Sequence, residues 1–238
     1  MATLNLLYKK EFEVNESIKV VIPTVGQIID DEDAYYGMVT VFTAMPIDLM
    51  VQLDDIGIDF TEITDYDLFL ILFNSLRTQN TNLILGDIDL SKFQLTQNEQ
   101  TGDIFLLNSE DNIVINRSVY GQISAVLRKI HHIEKNRRKP ANVEAKEYMI
   151  ERAREKQKRN KHRKTQSQLE SLIVAMVNAP EFKYDYESAK ELTIYQFNES
   201  VQQIINRVDY NNRMFGVYSG TINAKEMSQD DLNWLVHK

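Results

Sequence analysis

The placement of charge constrains this chain more than any motif does. Residues 128–164 hold 15 Lys and Arg against 5 Asp and Glu, a net +10, so more than half of the chain's 27 basic side chains sit in 37 residues. Residues 1–127 carry a net −14 and residues 165–238 a net −4, which leaves −8 overall. A segment so basic has three uses: it folds onto the chain's own acids, it faces an anionic partner, or it stays solvated behind i,i+4 ion pairs.

The remaining sequence is patterned for a folded core. Apolar residues make up 43% of 238 residues, enough to bury a core without covalent staples. Cysteine is absent, which excludes disulfides, thiolate metal sites and cysteine nucleophiles. The N-terminus lacks the basic-then-apolar order of a secretory signal, and no apolar run approaches the ~20 residues of a membrane span. A soluble, intracellular protein is expected, with no membrane partner.

Alternation over residues 3–23 (Leu4, Leu6, Tyr8, Phe12, Val14, Ile18, Val20, Ile22) around Asn15-Glu16-Ser17 predicts a β-hairpin ending at Pro23. Thr24 or Asp30 caps the next helical segment, ahead of Ala34–Met45. Pro46 opens a short helix stopped by Gly57, and Thr64 with Asp67 makes a capping box for Leu68–Gln79. Residues 82–116 switch to short alternating runs broken at Thr101-Gly102 and at Ser109–Asn112. They predict an antiparallel meander, which can join the hairpin in one sheet. Ser118 is read as the cap of a helix through Lys135, and Asn142 as the cap of a helix through the basic run. Helices follow from Gln166 and from Thr193; Gly216 and Gly220 close the latter, and Ser228 with Asp231 starts a last short helix. The fold class is α+β, mainly α-helical: a hairpin and small meander with a helical bundle and a long basic connecting helix. The divisions are an acidic α+β domain at 1–134, a basic helical connector at 135–165 and a helical domain at 166–238.

The candidate site is the basic face: Arg137, Arg138, Lys139, Arg152, Lys156, Lys158, Arg159, Lys161, Arg163 and Lys164. Such cations attract phosphate or carboxylate. Tyr148 is the segment's single aromatic, so no stacking platform for single strands exists, and no zinc-finger, zipper or helix-turn-helix pattern is present. A protein partner is therefore the first reading and nucleic acid the second. The acids at Asp30–Asp33 lack the spacing of a calcium loop, and adjacent His131 and His132 point apart on a helix, so no metal and no cofactor are expected. No phosphate-cradling glycine loop and no nucleophile motif occurs. The reading is a binding protein, not an enzyme.

Two stretches carry a family resemblance. Residues 50–73 (MVQLDDIGIDFTEITDYDLFLILF) and 167–235 resemble uncharacterised proteins of tailed bacteriophages that infect Firmicutes. The second holds Phe197, Ser200 and Ile204 on a helix, then Gly216, Tyr218, Ser219, Gly220, Thr221 and Trp234. Within phage structural modules the resemblance implies a morphogenesis protein, closest to a tail assembly chaperone, whose partner is a tape measure protein or another tail component. It would act in the host cytoplasm. The alternatives are a nucleic-acid-binding phage protein using residues 128–164 and a virion connector or baseplate component.

Overall fold

Local signals set most of the element boundaries in the computed structural model, which describes residues 5–160, 167–228 and 230–235. Strands β1 (Glu11–Glu13) and β2 (Lys19–Val21) pair antiparallel, with Phe12 opposite Val20. Asn15 Oδ1 holds the turn by accepting from the amides of Ser17 and Ile18. The hairpin is shorter than the alternation suggests, because residues 5–10 form turns and not strand.

Thr24 caps α1 (Val25–Ile29) in a reciprocal box with Gln27. Helix α2 (Glu32–Thr43) carries Tyr35, Met38, Val39 and Phe42 inward. A 3-10 turn from Pro46 leads into α3 (Met50–Asp55), and Gly57, at φ +74°, lets the chain leave it. Thr64 and Asp67 cap α4 (Asp65–Leu76). Its wide apolar stripe serves two cores: Tyr66, Phe69, Phe73 and Leu76 enter the main one, and Leu68 enters a second with Ile47, Leu53 and Phe60.

After the short α5 (Asn82–Leu85), strands β3 (Gln94–Gln97), β4 (Ile104–Asn108) and β5 (Ile113–Ile115) form the expected meander, antiparallel throughout. It does not join the hairpin. The sheets are separate, β1-β2 and β3-β4-β5. The hairpin spends its inward face, Ile18, Val20 and Ile22, on the helices of the main core.

Helix α6 (Arg117–His131) is capped by Asn116, two residues before the Ser118 expected; Asn116 Oδ1 accepts from the amides of Ser118 and Val119, placing Ser118 inside the first turn. Helix α7 (Val143–Asn160) follows an irregular segment at residues 133–142, so the basic connector is helical only from Val143. Helix α8 (Gln168–Val177) is capped by Ser167, whose hydroxyl also bonds the Glu32 carboxylate. Then come α9 (Tyr186–Glu191) and the 25-residue α10 (Ile194–Tyr218), boxed by Thr193 and Gln196. The start of α10 is tied to the hairpin, since the Ile194 amide donates to Pro23 at 2.8 Å and Val25 donates to Leu192 at 2.9 Å. The main core thus runs from Leu6 through α6 to Leu169, Ile173 and Phe197. Together these elements make an α+β fold, mainly helical.

Candidate partner-binding surfaces

The basic segment is bound in part by the chain itself. Ile150 and Met149 of α7 pack on the second core, beside Leu53 and Phe60. On either side of Ile150, one turn away, a cation meets an acid. Lys146 Nζ lies 2.7 Å from Asp59, and the Arg154 guanidinium forks to Asp55 at 2.6 Å and Asp54 at 2.8 Å. The Lys146 ammonium and two bonds from Thr61 hold the Asp59 carboxyl down at about 2. Lys135 adds a bond to Asp65 at 2.8 Å. Solvated pairs of this kind are weak, so the apolar contact at Ile150 carries most of the docking and the ions set its register.

Arg128, at the head of the segment, is a core residue. It is 7% exposed, donates from Nε to Ser124 Oγ and from Nη2 to the Thr43 carbonyl, and so ties α6 to α2. Burial lowers its pKa.

The cations first singled out divide into three sets. Arg137, Arg138 and Lys139 have no ionic partner among the described residues, and they line a cleft of about 390 Å³ whose floor is Met45, Pro46, Ile47, Phe60 and Ile63. Arg152, Lys156, Lys158 and Arg159 make no ion pair with α3 among the described residues. Arg152 sits 5.8 Å over the Tyr148 ring and 3.9 Å from Glu155, and the other three have no ionic partner among the described residues. Lys161, Arg163 and Lys164 lie outside the described residues. Lys146 and Arg154, the residues that dock the helix, were not among the candidates. The spacing Lys146, Ile150, Arg154 at i, i+4, i+8 places them on one face and is the signal that could have found them.

The C-terminal region presents a second surface. Phe197 is fully buried, and Ser200 Oγ donates to the Gln196 carbonyl of its own helix at 2.8 Å. Beyond Ile204 no residue of α10 belongs to either core. The chain then reverses: Gly220, at φ +75°, follows the Ser219 C-cap, and the amides of Thr221 and Ile222 both donate to the Gly216 carbonyl. The sequence pattern predicts a helix end at Gly216, but Gly216 is helical, and its bare face receives Ile222. A Cβ there would lie 2.5 Å from Ile222 Cδ1. The last turn, at Asp230–Leu232, returns along α10, where Arg213 bonds Asp231 at 2.5 Å and Gln203 donates to the Trp234 carbonyl at 3.3 Å. Arg207 covers the Trp234 ring at 5.9 Å.

Residues 156–237 match a family model described as the YomV second domain. That family is phage-associated, in keeping with the phage resemblance of residues 167–235. The matched region begins in the last turns of α7 and holds all of α8, α9, α10 and the returning tail. Phe197, Gly216, Gly220 and Trp234 within it have structural duties, whereas Tyr218 is 83% exposed. No curated protein and no solved structure matches the chain. Among the described residues no cluster of metal-ligating side chains occurs and no helix is long and apolar enough to cross a membrane.

Proposed function

We propose that this is a phage morphogenesis protein that works by binding another protein, in the manner of a tail assembly chaperone holding a long helical partner such as a tape measure protein. The supporting observation is the cleft at residues 135–140. Arg137, Arg138 and Lys139, which have no ionic partner among the described residues, share the cleft with five apolar side chains and with an Asp65 already held by Lys135, and α7 just beyond grips Asp54, Asp55 and Asp59 around Ile150. An amphipathic helix with acids flanking its apolar stripe meets that cleft as α3 meets α7. The phage-associated match over residues 156–237 supplies the setting. Binding is preferred to catalysis because the hydroxyls and the carboxylate that line the cleft are already engaged, Thr61 by Asp59, Thr64 by Asp67 and Asp65 by Lys135.

Co-expression with a tape measure protein tests this: the partner should stay soluble with the native chain and precipitate with a variant carrying Arg137→Glu, Arg138→Glu and Lys139→Glu. Equal solubility with both would reject it. A second reading rests on Lys156, Lys158 and Arg159, whose free charge at the end of α7 suits phosphate. Mobility shifts of duplex DNA from low to physiological salt decide that point, and no shift at low salt removes it.

A further inference from the structure

The buried side of α6 is not wholly apolar. Tyr120, Ser124 and Arg128 stand at i, i+4 and i+8, so they follow one another along one face of the helix, and all three are buried. Arg128 gives two of its three nitrogens to protein groups: Nε donates to Ser124 Oγ at 3.2 Å and Nη2 donates to the Thr43 carbonyl. The third, Nη1, is buried and meets no acceptor among the described residues, and the buried Tyr120 hydroxyl makes no hydrogen bond of normal geometry there. Tyr120, Asp65 and Asp48 each act on the guanidinium through space, and Asp65 acts on Tyr120 as well. Neither carboxylate forms an ion pair with Arg128, because both are held elsewhere. Asp65 accepts from Lys135 Nζ at 2.8 Å through one oxygen and from the Tyr66 amide at 3.1 Å through the other. Asp48 accepts from the Met45 amide at 2.8 Å and from Asn136 Nδ2 at 3.2 Å.

We infer that an internal water site lies between Arg128, Tyr120 and Asp65, where an ordered water accepts from Arg128 Nη1, bonds the Tyr120 hydroxyl and donates to the Asp65 carboxylate. A buried guanidinium N–H and a buried hydroxyl left unbonded would each oppose folding, and folded proteins satisfy such groups either with their own atoms or with buried water. The protein's own atoms do not serve here: the Ser124 hydroxyl is taken by Nε and the Thr43 carbonyl by Nη2. The occupant must accept from the guanidinium and donate to a carboxylate, and water does both. An anion is disfavoured, since Asp65 and Asp48 already set negative charge against this one cation. A charged pair that acts across a gap without touching is the arrangement in which a bridging water is expected. The site joins α6 to the first turn of α4. Its outer member, Asp65, is the acid that Lys135 holds, so the irregular segment at residues 133–142 is anchored through that carboxylate to a group in the core.

Two measurements on the full chain test the site. A high-resolution crystal structure should place a water within hydrogen-bond distance of Arg128 Nη1, the Tyr120 hydroxyl and Asp65. An Asp65 oxygen bonded directly to Nη1 overturns the inference, as does a chloride in that place, which a bromide soak exposes by its anomalous scattering. In solution, Tyr120→Phe should lower the folded-to-unfolded ratio about fivefold in urea melts, the worth of one ordinary hydrogen bond. It should do so again in a Ser124→Ala background. A hydroxyl without a water partner would be removed at no cost or with a gain in stability, which is the opposite sign. A cost that vanishes once Ser124 is alanine assigns the hydroxyl to its neighbour on the helix and overturns the site. None of these substitutions alters Arg137, Arg138 or Lys139, so the proposed function stands or falls apart from them.

Discussion

A single imidazole should make the stability of this fold depend on mildly acidic pH. The ring of His131, at the end of α6, lies 5.6 Å from both Tyr35 and Tyr36, and its Nε2 is 2.9 Å from the Tyr35 hydroxyl. Burial, helped by the neighbouring His132, lowers its pKa from 6.5 to about 4. Between those values the unfolded chain binds a proton that the folded chain refuses. Stability is therefore complete above pH 6.5 and falls as pH drops toward 4, by up to ~1.4 kcal/mol per unit. The shift integrates to about 3 kcal/mol, a large share of the 5–15 kcal/mol typical of a domain. The depressed carboxylate of Asp59 loses its contribution at lower pH, below its ordinary value of 3.8 and down through about 2, so the two windows separate. Urea titrations at half-unit steps from pH 7.5 to 4.5 measure the effect. His131→Gln, which keeps a hydrogen-bonding partner for Tyr35 but does not titrate, should flatten the curve in this window. Parallel curves for the native and substituted proteins would mean that the ring takes its proton in the folded state, and the argument from burial would fail.

Other substitutions probe the docking of α7 and the ends of helices. Ile150→Ala should cost about 2–3 kcal/mol and expose α7 to protease, because it empties a contact with the second core; limited proteolysis with urea melts reads both. A double-mutant cycle of Lys146→Met and Asp59→Asn should return a small favourable coupling that shrinks in high salt. Thr64→Ala should destabilise α4 by about 1 kcal/mol in thermal melts, through loss of its reciprocal cap with Asp67. Gly216→Ala should displace the half-exposed Ile222 side chain and make the tail after Gly220 more open to trypsin, with little net change in the melting temperature, because the gain in helix propensity, about 1 kcal/mol, offsets the lost contact.

What the sequence makes legible is what a few adjacent residues decide. Thr24 with Gln27, Thr64 with Asp67 and Thr193 with Gln196 each close a box within four residues, and each helix start is found where those residues stand. Where two capping residues lie close together, as Asn116 and Ser118 do, pattern alone cannot choose, and the earlier one wins here by accepting two amides. Sheet membership is decided by packing across the chain. Alternation marks β1, β2 and the meander equally well, yet nothing in it says that Val20 turns to α-helical neighbours rather than to β3. The candidate site suffered in the same way. Counting cations found the basic segment but could not tell Arg128, which is in the core, or Arg154, which is paired, from Arg137, which is neither. The acids that hold Lys146 and Arg154 lie 87 to 100 residues away in the chain.

That division bears on how charge is used. Were the segment meant only for nucleic acid, pairing its cations internally would waste the counterion release on which such binding depends. Lys135, Lys146 and Arg154 are nonetheless held by Asp65, Asp59, Asp54 and Asp55, and α7 rests on Ile150. The internal pairs hold α7 and the preceding irregular segment against the acidic part, which keeps Arg137, Arg138 and Lys139 over the cleft instead of swinging freely. A fixed set of cations over an apolar floor discriminates by shape as well as charge, as a protein interface does. It follows that breaking the internal pairs should harm partner binding even though no contact to the partner is removed. Asp54→Asn with Asp55→Asn adds two units of net positive charge and releases Arg154. If phosphate attraction were the function, that variant should bind DNA more tightly than the native chain; if a positioned cleft is the function, it should hold its protein partner less well and leave DNA binding weak and steeply salt-dependent.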